Sequence, residues 1–306
     1  MSGLDPPWTV PPGRPGPRLA GFLRDSAAGE RPWSEVKRWV TSGKVEVDGV
    51  VERDPGRQLA PGSVVALNMG TPRKAGHQAE IPVVFHDAHV ILVDKPEGIS
   101  SVPYDDDDRD TALDRARAWL RAEVGPGPPP RVVHRIDKDT SGLLVFARSR
   151  LAERVLANQL RLHTMERRYL CVVHGRISPQ RIESTLTPDR GDGLRGSTTR
   201  PGAKRAVTHV DVVEQLDGAT LCRVRLETGR THQIRVHLAE AGHPLIGERV
   251  YIRDYQRTGR EPRPAKRLLL HAATLGFTHP VGDVPMHFES PLPPEFEAAL
   301  QALRKA

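Results

Sequence analysis

Apolar positions along this chain follow two different periods, and the change from one to the other outlines the elements. After Pro32, the residues Trp33, Val36, Trp39 and Val40 recur at helical spacing, and Gly43 supplies a stop. The stretch Lys44–Val51 then alternates around Asp48-Gly49, which predicts a strand, a tight turn and a second strand. Another short strand is predicted within Gln58–Leu67, beyond the turn residues Pro61-Gly62. Runs at Val83–Phe85 and Val90–Val93 predict a hairpin that ends at Lys95-Pro96-Glu97-Gly98. Thr111–Val124 has the pattern of an amphipathic helix and leads into a Gly/Pro loop. Strands are predicted at Gly142–Ala147, Tyr169–His174, Val207–Val213 and Leu221–Leu226, and helices at Ala152–Arg161, Thr231–Ala241 and Glu295–Arg304. Strands outnumber helices and do not alternate strictly with them. An α+β fold on a mixed, mainly antiparallel sheet is therefore expected, not a doubly wound one.

The same pattern divides the 306 residues. Residues 1–17 are rich in Pro, Gly and Arg and are expected to form a disordered tail. Residues 18–70 form a small helix-then-hairpin unit with Lys37, Arg38 and Lys44 near one edge, too short to bury much by itself. Residues 71–80 are a polar linker, and 81–306 are the main domain. The net charge is +7, and between Arg148 and Arg205 thirteen basic residues face five acidic ones. Such an excess can organise a phosphate-binding face or simply be solvated, and charge alone does not separate the two. The two cysteines, Cys171 and Cys222, each lie in an apolar run; this excludes a disulfide framework and predicts buried packing thiols. No apolar stretch is long enough to span a bilayer and no export signal is visible, so a cytoplasmic protein without membrane contact is expected.

Three polar clusters carry the candidate chemistry. In His134-Arg135-Ile136-Asp137-Lys138-Asp139-Thr140-Ser141-Gly142, a dense polar run enters an apolar strand, placing Asp137 on a loop that the strand can hold rigid. In Glu227-Thr228-Gly229-Arg230-Thr231-His232-Gln233-Ile234-Arg235, a strand ends, Gly229 turns the chain and a helix start offers N–H groups to an anion. One of Arg230 and Arg235 could pair with a carboxylate while the other meets phosphate. In Arg167-Arg168-Tyr169-Leu170, an aromatic side chain at a strand mouth stands beside two guanidinium groups, which suits base stacking with backbone contacts, or simply a strand aromatic. Gly191-Asp192-Gly193-Leu194-Arg195-Gly196 matches a dinucleotide fingerprint letter by letter but lacks the preceding strand and following helix, so it carries no such expectation. The histidines have no metal-ligand spacing, and His232 and His237 are better placed as structural or RNA-facing groups. The run Asp105–Asp108 is expected to face solvent or decorate a helix start and not to bind a metal.

Taken together, these clusters resemble the RluA-type pseudouridine synthases. His134-Arg135-Ile136-Asp137 followed by Thr140-Ser141-Gly142-Leu143 is similar to the family's catalytic signature. Ile91–Gly98, Arg168-Tyr169, Thr228–Leu238, Gly242–Glu248, Leu270-His271-Ala272 and Phe277–Pro280 resemble its other segments in the same order, between about Val83 and Pro294. Residues 18–70 are similar to the alpha-L type RNA-binding module that many members carry, although Arg31-Pro32-Trp33-Ser34 departs from its usual helix start.

The resemblance implies a pseudouridine-synthase-type catalytic domain with Asp137 as the essential carboxylate, Arg235 as its charge partner and Tyr169 packed on the target base. It implies ribosomal or transfer RNA as substrate, with Arg135, Arg168, Arg230, His232, Lys37, Arg38 and Lys44 as RNA-binding candidates. It also implies a uridine taken out of the stack. Isomerisation of uridine adds and removes no group, so no metal or other cofactor and no obligatory protein partner is expected, and the chain is expected to act as a monomer. A protein that binds RNA with this fold but without turnover is the competing class. It would not need Asp137, Tyr169 and Arg235 together.

Overall fold

The computed structural model describes residues 7–12, 16–28, 32–41, 44–52, 54–67, 80–103, 108, 110–188 and 194–305, with the side chains of 27, 28, 34, 38 and 305 left out. The chain divides into two compact units, residues 1–79 with 105–108, and residues 80–104 with 109–306.

In the first unit the strands β1 (Trp8–Thr9), β2 (Val45–Val47), β3 (Val50–Glu52) and β4 (Val64–Leu67) form an antiparallel sheet in the order β1-β4-β2-β3. The helices α1 (Leu19–Leu23), extended by a π-helical turn over Arg24–Ala28, and α2 (Trp33–Thr41) belong to the same unit. The predicted turn between β2 and β3 uses two left-handed residues, Asp48 (φ 54°) and Gly49 (φ 79°), and the Asp48 carboxylate also accepts from the Val64 amide at 2.8 Å. Leu19, Phe22, Leu23, Val36, Trp39, Val40, Val45, Val47, Val65 and Leu67 close a core between helices and sheet.

Two expectations change here. Residues 1–17 are not uniformly disordered, because Trp8 and Thr9 pair with Val65 and Val64, and Val10 is buried. The Pro-rich composition hid a short apolar edge strand that completes the sheet. Trp33 shares the helical spacing of the core but is exposed, with the Arg24 guanidinium 4.6 Å above its ring. The Arg38 side chain, residues 68–70, most of the linker (71–79), Gly43, Asp105–Asp107 and Gly191–Gly193 lie outside the described residues. Lys37 is exposed and Lys44 is partly buried.

The second unit is built on an 11-stranded sheet. Its strands are β5 (Val83–His86), β6 (Val90–Lys95), β7 (Arg131–Val132), β8 (Ser141–Ala147), β9 (Glu166–His174), β10 (Gln180–Thr187), β11 (Gly196–Ser197), β12 (Lys204–Leu216), β13 (Ala219–Leu226), β14 (Leu270–Thr278) and β15 (Pro285–Glu289). The order is β11-β10-β12-β13-β9-β14-β8-β6-β5, with β15 on β14 and β7 on β8. Every pairing is antiparallel except β8 with β14. Among the described residues five helices accompany it: α3 (Ala112–Glu123), α4 (Arg150–Arg161), α5 (Gln233–Glu240), α6 (Arg253–Arg257) and α7 (Pro294–Lys305). No helix among the described residues is long and apolar enough to cross a membrane.

Strand β8 reads as an unbroken apolar run because both of its faces are covered. Leu143, Val145 and Ala147 pack with Ala152 and Leu156 of α4, whereas Leu144 and Phe146 pack with Ala112, Ala116 and Leu120 of α3. Both helices start at a capping residue, α4 two residues before the expected Ala152. Thr111 closes a capping box with Asp114, and the Ser149 hydroxyl accepts from the Ala152 amide at 3.1 Å. Cys171 and Cys222 are free, buried and paired in register across β9 and β13, as expected of packing thiols.

The β8–β14 contact sets the spacing under the Asp137 loop. Gly142 lies opposite Ala272 with φ 114°, and a Cβ at that position would come within 2.3 Å of the Ala272 carbonyl oxygen. Gly142→Ala therefore meets both a forbidden backbone region and a backbone atom that cannot step aside. A loss of roughly 3 kcal/mol or more is expected in urea denaturation. A variant within about 1 kcal/mol of wild type would show that the two strands can part without cost.

Candidate active site

Asp137 sits in the loop that leads into β8, and backbone contacts hold that loop. The Thr140 amide donates to the Asp137 carbonyl at 3.1 Å. The Ser101 hydroxyl donates to the Ile136 carbonyl at 2.7 Å and accepts from the Ile136 amide at 3.1 Å. The Gly98 amide donates to the Lys138 carbonyl at 2.9 Å. Beneath it the fully buried Lys95 donates to the carbonyls of Pro96, Ile99 and Lys138 at 2.8, 2.9 and 3.1 Å. Burial pulls the Lys95 ammonium down to about 7 against the pull of Asp139, Asp137 and Glu97. Arg267 closes the other side, donating to the Ser141 hydroxyl at 2.6 Å and standing 2.9 Å from Glu97; Ser141 also hydrogen-bonds His271 Nδ1 at 2.9 Å.

Arg235, on α5, faces this loop. Its Nε and Nη2 donate to Glu248 Oε2 and Oε1 at 2.7 Å each, and the pair is buried. Its third nitrogen, Nη1, stands 3.9 Å from Asp137 Oδ2 and 4.0 Å from Asp139 Oδ2. The expected Arg235–Asp137 pairing is thus a charge contact beyond hydrogen-bond length, and the primary partner of Arg235 is Glu248. Geometry decides this, since Glu248 meets the flat fork edge-on while the Asp137 loop reaches only one corner. Burial opposes the Glu248 charge, but the Arg235 fork and the amides of Val250 and Tyr251 more than offset it and hold the carboxyl below its usual range.

A cavity of about 530 Å3 opens between the two polar loops, bordered by Asp137, Tyr169, Arg135, Arg167, Arg230 and His232 among others. Tyr169 is 7% exposed, and burial raises its phenol above the ordinary value, with Arg167 pulling the other way. Strand parity separates the two arginines beside it. Arg167 shares the face of Tyr169, is buried and borders the cavity, donating to the Glu227 carbonyl at 3.2 Å. Arg168 points to the opposite face, is exposed, meets Glu166 at 2.5 Å and does not border the cavity. Arg168, expected with Arg167 to meet RNA backbone beside Tyr169, thus lies away from the cavity, and Arg167 is the arginine that borders it. A Cβ at Gly229 would come within 2.6 Å of Arg167 Nη1, so a larger residue there would displace that guanidinium. His134 also lines the cavity; its Nε2 accepts from the Val145 amide at 3.3 Å, and burial, with Arg167, holds its pKa down to about 3.

The helix expected from Thr231 begins at Gln233, after His232 takes a left-handed conformation (φ 58°). Its start is not an open anion site. The Gln233 carboxamide accepts from the Arg230 amide and the Thr228 hydroxyl and donates to the Val207 carbonyl and Thr208. Residues Gln233 to Leu238 are all buried, so this helix presents no side to solvent over that span. Arg135 and Arg230 are exposed at the cavity rim, with Arg230 Nε donating to the Arg205 carbonyl at 3.0 Å. Lys37 and Lys44 belong to the first unit. Among the described residues no group of three or more His, Cys, Asp or Glu could hold a metal ion. Lys95, Glu248 and Tyr251 were not singled out from the sequence, and Arg167 was named only alongside Arg168 in the strand-mouth cluster. The signal available for Glu248 was its place in the Gly242–Glu248 segment.

A mixed sheet that opens a polar cavity onto a rigidly held carboxylate, with a buried guanidinium opposite, has the layout of an enzyme site for a polar substrate. Residues 89–240 match the RNA pseudouridylate synthase family. An uncharacterized RNA pseudouridine synthase of Bacillus subtilis, YlyB, is 36% identical over 297 residues, covering 94% of both chains. The ribosomal large subunit pseudouridine synthase D of Nitrosomonas europaea is 35% identical over 300 residues, covering 94% of this chain and 86% of that one. The fold is similar to that of human RNA pseudouridylate synthase domain containing 1 (TM-score 0.57, 23% identity, 76% of this chain and 98% of the other). It is equally similar to human domain containing 4 (TM-score 0.57, 20% identity, 73% and 93%). The chain belongs to the RluA-type RNA pseudouridine synthases, which are RNA isomerases.

Proposed function

We propose that this protein converts specific uridines of large-subunit ribosomal RNA to pseudouridine, with Asp137 as the essential carboxylate. The observation that carries the reading is the placement of Asp137 at the cavity, 3.9 Å from the Arg235 guanidinium and across from Tyr169. The uridine N1–C1′ bond breaks, the base turns, and a C5–C1′ bond forms; C5 gives up a proton and N1 ends with one, so no cofactor is consumed. Asp137 acts at the glycosidic bond, as nucleophile or by assisting its cleavage. Arg235 aims that carboxylate, and Glu248 holds Arg235. Tyr169 packs on the base and assists loss of the C5 proton. Arg135, Arg230 and His232 contact the RNA at the rim, and the first unit, with Lys37, Arg38 and Lys44, adds affinity for the same strand.

The choice of ribosomal over transfer RNA is supported by the names of the relatives. Unmodified large-subunit ribosomal RNA and bulk transfer RNA, incubated separately with the protein and mapped for pseudouridine, test it. Discrete sites in the ribosomal RNA are expected. Sites in transfer RNA alone would overturn the substrate, and sites in neither would favour a binding protein.

A further inference from the structure

His232 carries its own evidence of a set orientation. It borders the cavity, and its Nδ1 lies 2.7 Å from the Tyr251 hydroxyl. Tyr251 is 8% exposed, with its ring packed in the cluster of Leu186, Ala206 and Val236 and against the Arg235 guanidinium at 5.5 Å. Among the described residues the Tyr251 hydroxyl has no other hydrogen-bond partner. A phenol has one proton to give, and a buried one gives it to the acceptor within reach. The proton therefore lies on the Tyr251–Nδ1 line, Nδ1 accepts, and the neutral imidazole carries its own proton on Nε2. That Nε2 has no hydrogen-bond partner among the described residues. The left-handed backbone at His232 is a local cost of the kind found where a side chain must be aimed.

We propose that Tyr251 is a positioning residue that locks His232 in the Nε2–H tautomer, so that His232 donates a hydrogen bond to an oxygen of the target nucleotide, a uracil carbonyl or a flanking phosphate. This rests on the reading of the cavity as the uridine site. The charged groups around the imidazole are consistent with a neutral ring. Burial is the largest influence and, with Arg235 and Arg195, outweighs Asp137 and Glu248, so His232 is harder to protonate than a free histidine. Tyr251 itself stays protonated, its phenol pushed up to about 12 chiefly by burial. The donor is then present without any dependence on His232 titrating.

The test uses nitrogen NMR of the imidazole in the full-length protein together with single-turnover modification of unmodified large-subunit ribosomal RNA. In wild type the spectrum should show the proton on Nε2; a proton on Nδ1 would overturn the proposal. His232→Gln puts an amide donor near the Nε2 position and should stay within about threefold of wild type. His232→Asn, whose side chain tolerates the left-handed backbone, reaches only the Nδ1 position and should lose roughly tenfold. Tyr251→Phe should lose roughly threefold. That deficit should narrow as pH falls, because a protonated imidazole again carries a proton on Nε2. The double variant His232→Ala with Tyr251→Phe should be no worse than His232→Ala alone; additive losses would mean that Tyr251 acts by packing only.

Transcripts with a thiocarbonyl at the target uridine, or with one methylphosphonate beside it, identify the acceptor as the arm in which His232→Asn no longer costs activity. A cost unchanged in every arm would overturn the proposal. Asp137→Ala separates the two readings. If it is inactive while His232→Asn matches wild type, the site reading stands and this inference falls. If it is fully active, the site reading fails, and the proposed substrate contact fails with it, whereas the NMR result still judges the tautomer.

Discussion

Replacing Asp137 with Asn is expected to slow pseudouridine formation by at least about 10³-fold, a barrier increase of roughly 4 kcal/mol, with little change in folding. Asn keeps the shape of the side chain and removes the charge. The contacts that hold the loop run through the backbone of Ile136, Asp137 and Lys138 and through Ser101 and Lys95, not through the carboxylate. The fold therefore has little reason to notice the change, and the guanidinium beside the lost charge, Arg235, keeps Glu248. Single-turnover assays on ribosomal RNA and a thermal melt of the same sample read both halves. Activity above about one-tenth of wild type in a variant that melts normally would remove Asp137 from the catalytic role.

The second large effect belongs to Glu248. Glu248→Ala leaves the Arg235 guanidinium buried without its two-point partner, and a stability loss of roughly 3–5 kcal/mol is expected, since breaking a buried pair strands the remaining charge. Activity should fall as well, because Arg235 would be free to fold onto Asp137 or Asp139. The pH dependence has a definite sign. The Glu248 carboxyl in the folded protein is held below its ordinary value of 4.5, so its contribution is fully present above 4.5 and is lost as pH falls through the depressed folded value. Urea denaturation at neutral and at acid pH should show wild type losing stability in that lower window. Glu248→Gln should lack that component. A Glu248→Ala protein within about 1 kcal/mol of wild type at neutral pH would show that Arg235 is adequately held by Asp137 and Asp139 alone.

The strands recognised in advance and those that were not differ in how their faces are covered. β8 and β9 carry enough apolar residues to stand out, and so does the hairpin of β5 and β6. β10 is mostly polar because much of it is exposed, leaving no period to detect. β14 mixes Leu, His, Ala, Thr and Gly, and it pairs with β8, β9 and β15, with a bulge between His271 and Thr274. Its role is set by neighbours distant in sequence, and its own pattern does not announce it. β1 was hidden by the prolines and glycines around it.

The candidate site divides in the same way. Asp137 and Tyr169 were visible as residues, one at the end of a polar run before an apolar strand and one at a strand mouth. Choosing Arg167 over Arg168 required knowing which face of β9 looks into the cavity, and adjacent residues on a strand differ only in that respect. Finding Glu248 as the partner of Arg235 required the fold that returns residues 245–251 to α5.

Local order is written in the chain at short range: periods of two and of about four residues, caps, and the Asp-Gly turn fix strands, helices and the loop that carries Asp137. Those were determined by the sequence alone, as was the order of the motifs that resemble the family. Partnership is decided at long range. Which carboxylate meets the Arg235 fork, which arginine enters the cavity and which hydroxyl meets His232 Nδ1 depend on side chains that only the packed sheet brings within 4 Å, where electrostatics and hydrogen bonding act.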